Sequence, residues 1–275
     1  MRILLPVVFF LHLLLSACVR TDVPPRRLVV EGWIESGEFP VVQITLPYRP
    51  GESGSVENAV ARPARVMISD GEKELQLTGM YDAGYFPPYI YTSFELRGET
   101  GRRYSLSVSF DGMEAYAETE ILPSSPILSA YFVPVPGDDG ARRLQIVTEK
   151  DAVSDLCLMT MVRTASTGSR AVPSYLGVVR IPQGEGEVSL EVMRPRYRPD
   201  TVPYETCFRV GEEIEVRLCR LTADAFGFWS DYQNAVSIGG SPLISSACQL
   251  RSNVSGDGIG CFFGYGADRR LLRVE

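Results

Sequence analysis

Tyr104-Ser-Leu-Ser-Val-Ser-Phe110, then Asp111-Gly112, then Met113-Glu-Ala-Tyr-Ala-Glu-Thr-Glu-Ile121 is the stretch that decides the fold class. Large apolar residues occupy every second position of the first run, the period of a strand with one buried face. Asp-Gly then supplies the two left-handed residues of a tight hairpin turn, and a second alternating run follows. The pattern is that of a β-hairpin, and nothing nearby has helical spacing.

Similar signals extend upstream. Leu28 to Ile34 and Val41 to Leu46 read as strands, and residues 49–63 read as a long Gly-, Ser- and Pro-rich loop. Ala64 to Ser69 and Glu74 to Thr78 flank Asp70-Gly71, which reads as a second Asp-Gly hairpin turn. Pro88 to Phe94 is a tyrosine-rich strand. About seven short strands between residues 27 and 122 predict an immunoglobulin-like β-sandwich.

Leu122-Pro-Ser-Ser-Pro126 reads as a linker or a crossing between sheets. Residues 127–275 form a second β-rich part. Its expected strands are Ile127 to Val133, Arg143 to Thr148, Leu156 to Arg163, Leu176 to Ile181, Val188 to Met193, Ile214 to Leu221, and a last strand from Arg270 to Val274. One amphipathic helix is expected near 222–237. Thr222 caps it, Asp224 sits in its first turn, and Ala225, Phe228, Trp229, Tyr232 and Val236 recur at helical spacing.

The start of the chain carries an address. Met1-Arg2 precedes an apolar run from Ile3 to Leu15, too short for a spanning helix, and the run ends Leu15-Ser16-Ala17-Cys18. Residues 1–17 are therefore expected to be a signal peptide, with Cys18 the lipidated first residue of the mature chain. Several acyl chains on one residue anchor firmly, since each buried methylene contributes ~0.8 kcal/mol. Residues 18–26, with Pro24-Pro25, read as a lipidated, stiff tether that holds the body off the membrane.

Composition removes several function classes. The chain has 275 residues, 27 basic and 34 acidic side chains and a net charge of −7; losing Arg2 with the leader takes this to −8. An acidic chain without a basic run is not expected to bind nucleic acid. The single histidine, His12, lies in the leader, so the mature chain lacks imidazole and with it His-based triads and His zinc sites. The only lysines are Lys73 and Lys150. No metal or cofactor motif is present, and the chain is expected not to be an enzyme. Five cysteines follow Cys18, none in a C-x-x-C pair. Cys157 and Cys219 read as buried thiols within strands; Cys248 and Cys261 are the first choice for a disulfide.

The candidate sites are surfaces. Tyr81, Tyr85, Phe86, Tyr89 and Tyr91 crowd one region, and the first four are taken as a binding surface. Arg194, Arg196 and Arg198 offer guanidinium groups to carboxylates or lipid phosphates. Trp229 and Tyr232 form either a stacking platform or a stripe packed on a sheet. Phe262-Phe-Gly-Tyr-Gly266 is either a ligand-facing loop or a bulged strand.

Three patches carry a family resemblance. They are the Cys18 box followed by Val29-Val-Glu-Gly-Trp-Ile34, the run Val216-Arg-Leu-Cys219 leading to Phe228-Trp-Ser-Asp-Tyr232, and Asn253 to Gly266. Together, and in order, they resemble the Bacteroidota lipoproteins of domain-of-unknown-function family 4249. The resemblance implies an outer-membrane lipoprotein, periplasmic or surface-exposed, that assists TonB-dependent nutrient uptake by binding a receptor protein, a ligand or both. Two other readings stand beside it: a structural or adhesive surface module, and a carbohydrate-active enzyme using a carboxylate pair.

Overall fold

The computed structural model describes residues 26–47, 59–164, 170–195, 205–238 and 250–275. The described chain is mainly β with one helix. The first half supplies β1 (Leu28–Glu35), β2 (Val41–Thr45), β3 (Arg65–Ser69), β4 (Glu74–Gln76), β5 (Thr78–Tyr81), β6 (Tyr89–Thr92), β7 (Arg103–Phe110) and β8 (Met113–Glu120). The second half supplies β9 (Ser129–Val135), β10 (Asp138–Glu149), β11 (Leu156–Arg163), β12 (Val172–Ile181), β13 (Glu187–Val192), β14 (Phe208–Arg209) and β15 (Glu213–Arg220). Helix α1 (Ala223–Ile238), β16 (Val254–Gly256) and β17 (Gly258–Arg273) close the chain.

The strands form three sheets. The largest has eight strands in the order β12-β11-β15-β17-β1-β2-β6-β5. A five-stranded sheet, β16-β8-β7-β3-β4, packs on its β1 end, and a sheet of β9, β10, β13 and β14 packs on its β15 end. The first core gathers Val30, Ile34, Ile44, Ile68, Tyr104 and Phe262; the second gathers Leu144, Ile146, Leu158, Phe208, Val216 and Leu218. Both smaller sheets lie on the same face of the large one, so two sandwiches share one continuous sheet.

Strand β17 makes that sharing possible. It runs 16 residues without a break. Its first half pairs in parallel with β1, from Leu28↔Gly258 to Glu35↔Tyr265. Its second half pairs antiparallel with β15, from Arg220↔Gly266 to Glu213↔Arg273. The sequence suggested a separate motif up to Gly266 and a new strand from Arg270; the structure joins them. Segment 27–122 therefore does not complete its sandwich alone, since β16 adds to β8 and β17 adds to β1 from the far end of the chain.

The glycines of that motif have a steric role. A Cβ on Gly266 would stand 2.5 Å from the Leu122 carbonyl oxygen, and one on Gly264 would stand 2.9 Å from that of Glu120. The link from β8 towards β9 therefore lies directly on β17 as it passes between the two smaller sheets. Only glycine allows backbone that close.

Local signals resolve as follows. Asp111 and Gly112 have φ of 51° and 75°, and Phe110 pairs with Met113, the expected two-residue turn. The Asp70-Gly71 site differs. Only Gly71 has positive φ, Ser69 pairs with Glu74 across a four-residue loop, and Asp70 Oδ1 accepts N–H bonds from Glu72 at 3.0 Å and Lys73 at 2.8 Å. The aspartate stabilises the loop as an Asx cap rather than as a left-handed turn residue. Helix α1 starts where expected, with the Ala225 N–H donating to Thr222 Oγ1 at 3.3 Å. Cys157, Cys207, Cys219 and Cys261 are free thiols, and Cys219 and Cys261 are buried, so the expected Cys248–Cys261 bridge does not describe Cys261; Cys248 lies outside the described residues. No helix among the described residues is long and apolar enough to cross a membrane.

Replacing Gly266 by alanine should destabilise the protein by about 1–3 kcal/mol, the range for overpacking a site that cannot relax. Gly140→Ala, whose new Cβ would meet nothing closer than 3.6 Å, should stay within about 0.5 kcal/mol. Urea unfolding midpoints of the two variants should separate accordingly; equal midpoints would refute the crossing as a steric constraint.

Candidate functional site: a cavity on the free face of the shared sheet

Alternation along β1 and β17 sorts side chains to two faces. Leu28, Val30, Ile34 and Phe262 enter the first core. Glu31, Trp33, Glu35, Phe263 and Tyr265 point to the opposite face, where no sheet packs. Helix α1 covers one end of that face, against β11, β12 and β17. There Ala225, Phe228 and Trp229 pack with Met159, Cys219, Cys261 and Phe263. Gln233 ties the helix to the edge strand β12, with its Oε1 accepting from the Val178 N–H at 2.9 Å and its Nε2 donating to the Val178 carbonyl at 3.2 Å.

What the helix leaves uncovered is a cavity of about 860 Å³. Trp33, Phe263 and Tyr265 form its apolar floor. Trp229, Tyr232 and Gln233 form the helix wall, Arg170 to Val178 a second wall, and Asp82 and Tyr85 from the β5–β6 loop a third. The volume lies within the range of small-molecule sites, which are concave, largely apolar and furnished with few polar groups.

A ladder of alternating charge crosses the floor. Glu35 accepts from Arg217 at 2.8 Å and from Arg269 at 2.6 Å, and Arg269 also reaches Glu38 at 2.8 Å. Arg217 bonds Glu215 at 2.6 Å, and Glu215 meets Arg163 at 2.9 Å. Burial opposes the charge on Glu215, yet the hydrogen bonds from Arg163 and Arg217 outweigh it and hold that carboxyl below its ordinary value. The ladder cancels its own charges.

Glu31 is outside the ladder. Among the described residues it makes no hydrogen bond and no ion pair, and its head is open to the cavity. Protein surrounds it on the other sides, and this desolvation pushes its carboxyl above the usual carboxylate range, with Arg170 pulling the other way through space. The Arg170 guanidinium itself lies 3.8 Å from the Tyr85 ring centroid and 5.4 Å from that of Trp33, and donates to the Gly84 carbonyl at 3.0 Å. Trp33 and Tyr85 stack with centroids 6.0 Å apart. On the helix wall, the Trp229 Nε1–H is buried without an acceptor while its ring meets Phe263 and Tyr232 edge-on at 5.5 and 5.6 Å. A buried donor of this kind costs about 1–3 kcal/mol when unmet, and it lies beneath the ring face that lines the cavity.

The expected surfaces do not survive as single units. Tyr85 lines the cavity, but Tyr81 and Phe86 stand outside it, 68% and 75% exposed. Tyr89 turns to the first core and meets Tyr91 edge-on at 5.5 Å, because strand alternation sends it to the other face. Arg194 is committed to Glu212 through bonds of 2.8–3.0 Å and is not free for phosphates. Arg196, Arg198 and Cys18 lie outside the described residues. The stripe of α1 packs on the sheet, and Trp229 and Tyr232 also line the cavity. Phe262 to Gly266 is strand, with Phe263 and Tyr265 on the cavity floor. Glu31, Trp33 and Arg170 were not singled out as site residues; the one signal was a lone carboxylate alternating with tryptophan in Glu31-Gly-Trp33.

No group of three or more possible metal-ligating side chains occurs among the described residues. Of the cavity carboxylates, Glu35 and Glu38 are held by arginines, and Asp82 Oδ1 accepts from the Gly84 N–H at 2.8 Å. The arrangement is suited to holding a molecule.

Glu35 is 5% exposed at its side chain and anchors two arginines. Glu35→Ala should cost about 2–3 kcal/mol, since it takes one of two carboxylate partners from both Arg217 and Arg269 and leaves Arg217, largely buried, sharing Glu215 with Arg163. Arg103→Ala, at an ion pair whose arginine is 85% exposed, should cost under about 1 kcal/mol. Chemical denaturation of both variants checks the contrast, and a Glu35 variant as stable as the parent would remove the ladder from the list of structural supports.

No curated protein matches the chain. The family model described as Domain of unknown function (DUF4249) matches residues 18–270, the same family that the three sequence patches resembled. With nearly its whole length matched, this chain belongs to the DUF4249 family.

Proposed function

We propose that the protein is a non-enzymatic, lipid-anchored lipoprotein of a bacterial outer membrane that binds a small ligand in the sheet-face cavity as an accessory of TonB-dependent uptake. The observation that carries the binding role is the cavity itself: about 860 Å³, floored and walled by aromatic rings, with a carboxylate at Glu31 that has no hydrogen-bond or ion-pair partner among the described residues. Its rings offer stacking area and its open carboxylate offers orientation. A binding role fits a cavity whose remaining carboxylates are tied by arginines or by backbone, in a chain without histidine after residue 12.

The anchoring role rests on the apolar leader ending in Leu15-Ser-Ala-Cys18, and the family match starts at that cysteine. A tethered binder near a receptor gains effective concentration, which is how a modest-affinity cavity assists transport. The uptake role itself rests on the family resemblance.

Radiolabelled palmitate should enter the wild-type protein and not Cys18→Ser, which should leave the membrane fraction. Mild-detergent purification of the wild type should bring down a TonB-dependent receptor. Loss of labelling without loss of sedimentation would overturn the anchor, and recovery of the protein alone would overturn the receptor role.

A further inference from the structure

The sign of the cavity's unmatched charge defines the class of ligand. Arg217 is neutralised by Glu35 and Glu215, while Arg170 lies on the Tyr85 ring and donates to the Gly84 carbonyl and keeps its charge. Glu35 and Glu38 are paired in turn. Among the described residues, three cavity charges have no ion pair: Glu31 and Asp82, both negative, and Arg170, positive, which leaves the cavity negative by one. Arg170 offsets one of the two carboxylates through space, so an anionic ligand would add to the remaining negative charge, whereas a cation would balance it.

The rings beside Glu31 are also arranged for a cation. Trp33, its neighbour two residues along β1, stacks with Tyr85, and a guanidinium already sits over both. Aromatic faces carry negative potential and hold ammonium and guanidinium groups, more strongly when water is excluded. Arg170 shows that a cation fits there. Beyond this polar corner, Phe263, Trp229 and Tyr232 give an apolar body somewhere to lie.

We infer that the cavity binds small organic cations: a protonated amine or guanidinium on an aromatic or aliphatic body, with its charge at Glu31 and the Trp33–Tyr85 rings and its body against the Trp229 wall. The inference rests on the cavity being a ligand site, and it adds the charge and shape of what enters.

The chain's two tryptophans, Trp33 and Trp229, both line the cavity, so intrinsic tryptophan fluorescence reports on this place alone. Three probes of matched shape are titrated into the purified lipid-free body: phenethylammonium, phenethyl alcohol and phenylacetate. Phenethylammonium should bind about tenfold tighter than the alcohol, and phenylacetate should bind weakest. Glu31→Gln should erase the preference for the cation over the alcohol. Circular dichroism and the unfolding midpoint establish that this variant is folded. A second readout needs no variant: wild-type affinity for the cation should fall as pH drops and Glu31 takes up a proton, while alcohol affinity stays flat.

Equal or tighter binding of the alcohol or phenylacetate, with no effect of Glu31→Gln or of pH, would overturn the cation preference and leave the cavity as a ligand site. No fluorescence response to any probe at millimolar concentration would overturn both.

Discussion

The parallel pairing of β1 with the first half of β17 is the constraint on which the other features depend. A parallel pair needs a crossover, and here the crossover is almost the entire described chain between Glu35 and Gly258. Both sandwiches are threaded between these two strands. Once they pair, the second half of β17 is aimed at β15, and the two half-sheets become one. The same register sets which side chains face the cavity: Trp33 lies opposite Phe263 and Glu35 opposite Tyr265, with all four on the free face.

Sharing one sheet divides its faces unequally. One face is sealed by two smaller sheets and holds both large cores. Among the described residues the other has one 16-residue helix to cover eight strands, and a helix is only about 10 Å wide. The remainder must meet water without exposing a wide apolar patch. The Glu38–Arg269–Glu35–Arg217–Glu215–Arg163 ladder meets that requirement: it is wettable, flat and internally neutral. Such pairs do not add much stability over apolar residues of equal size. Their consequence is positional, because a neutral ladder leaves the field of the cavity to Glu31, Asp82 and Arg170 outside it.

Much of the fold was legible because its signals are local. The Tyr104–Ile121 hairpin, strand β11 and helix α1 follow from period and capping over a few residues. Asp70-Gly71 misled because an aspartate can also serve by its side-chain oxygen, which spares it the left-handed backbone. The single strand β17 was hidden for a different reason. Glycine at 264 and 266 weakens strand propensity, and the cause of both glycines, the link from β8 crossing above them, lies about 140 positions away in sequence. The cavity was hidden most completely. Glu31, Tyr85, Arg170 and Trp229 come from four separate elements, and no spacing relates them. Tyr81, Tyr85, Phe86 and Tyr89 are near neighbours in sequence, yet strand alternation and the turn before β6 send them to different surroundings.

The contact that spans the cavity is the weak one. Arg170, just before β12 of the second sandwich, reaches Tyr85, Trp33 and Gly84 in the first by two ring contacts and one backbone carbonyl. Interactions of that kind contribute on the order of 1 kcal/mol each. The ladder of β1, β17 and β15 beneath it runs through eight parallel and eight antiparallel register pairs. Disturbing Arg170 therefore leaves the relation of the two sandwiches unchanged. A ligand that competes for the Trp33 and Tyr85 rings has only that local contact to displace, so occupancy of the cavity is energetically separate from the integrity of the fold that builds it.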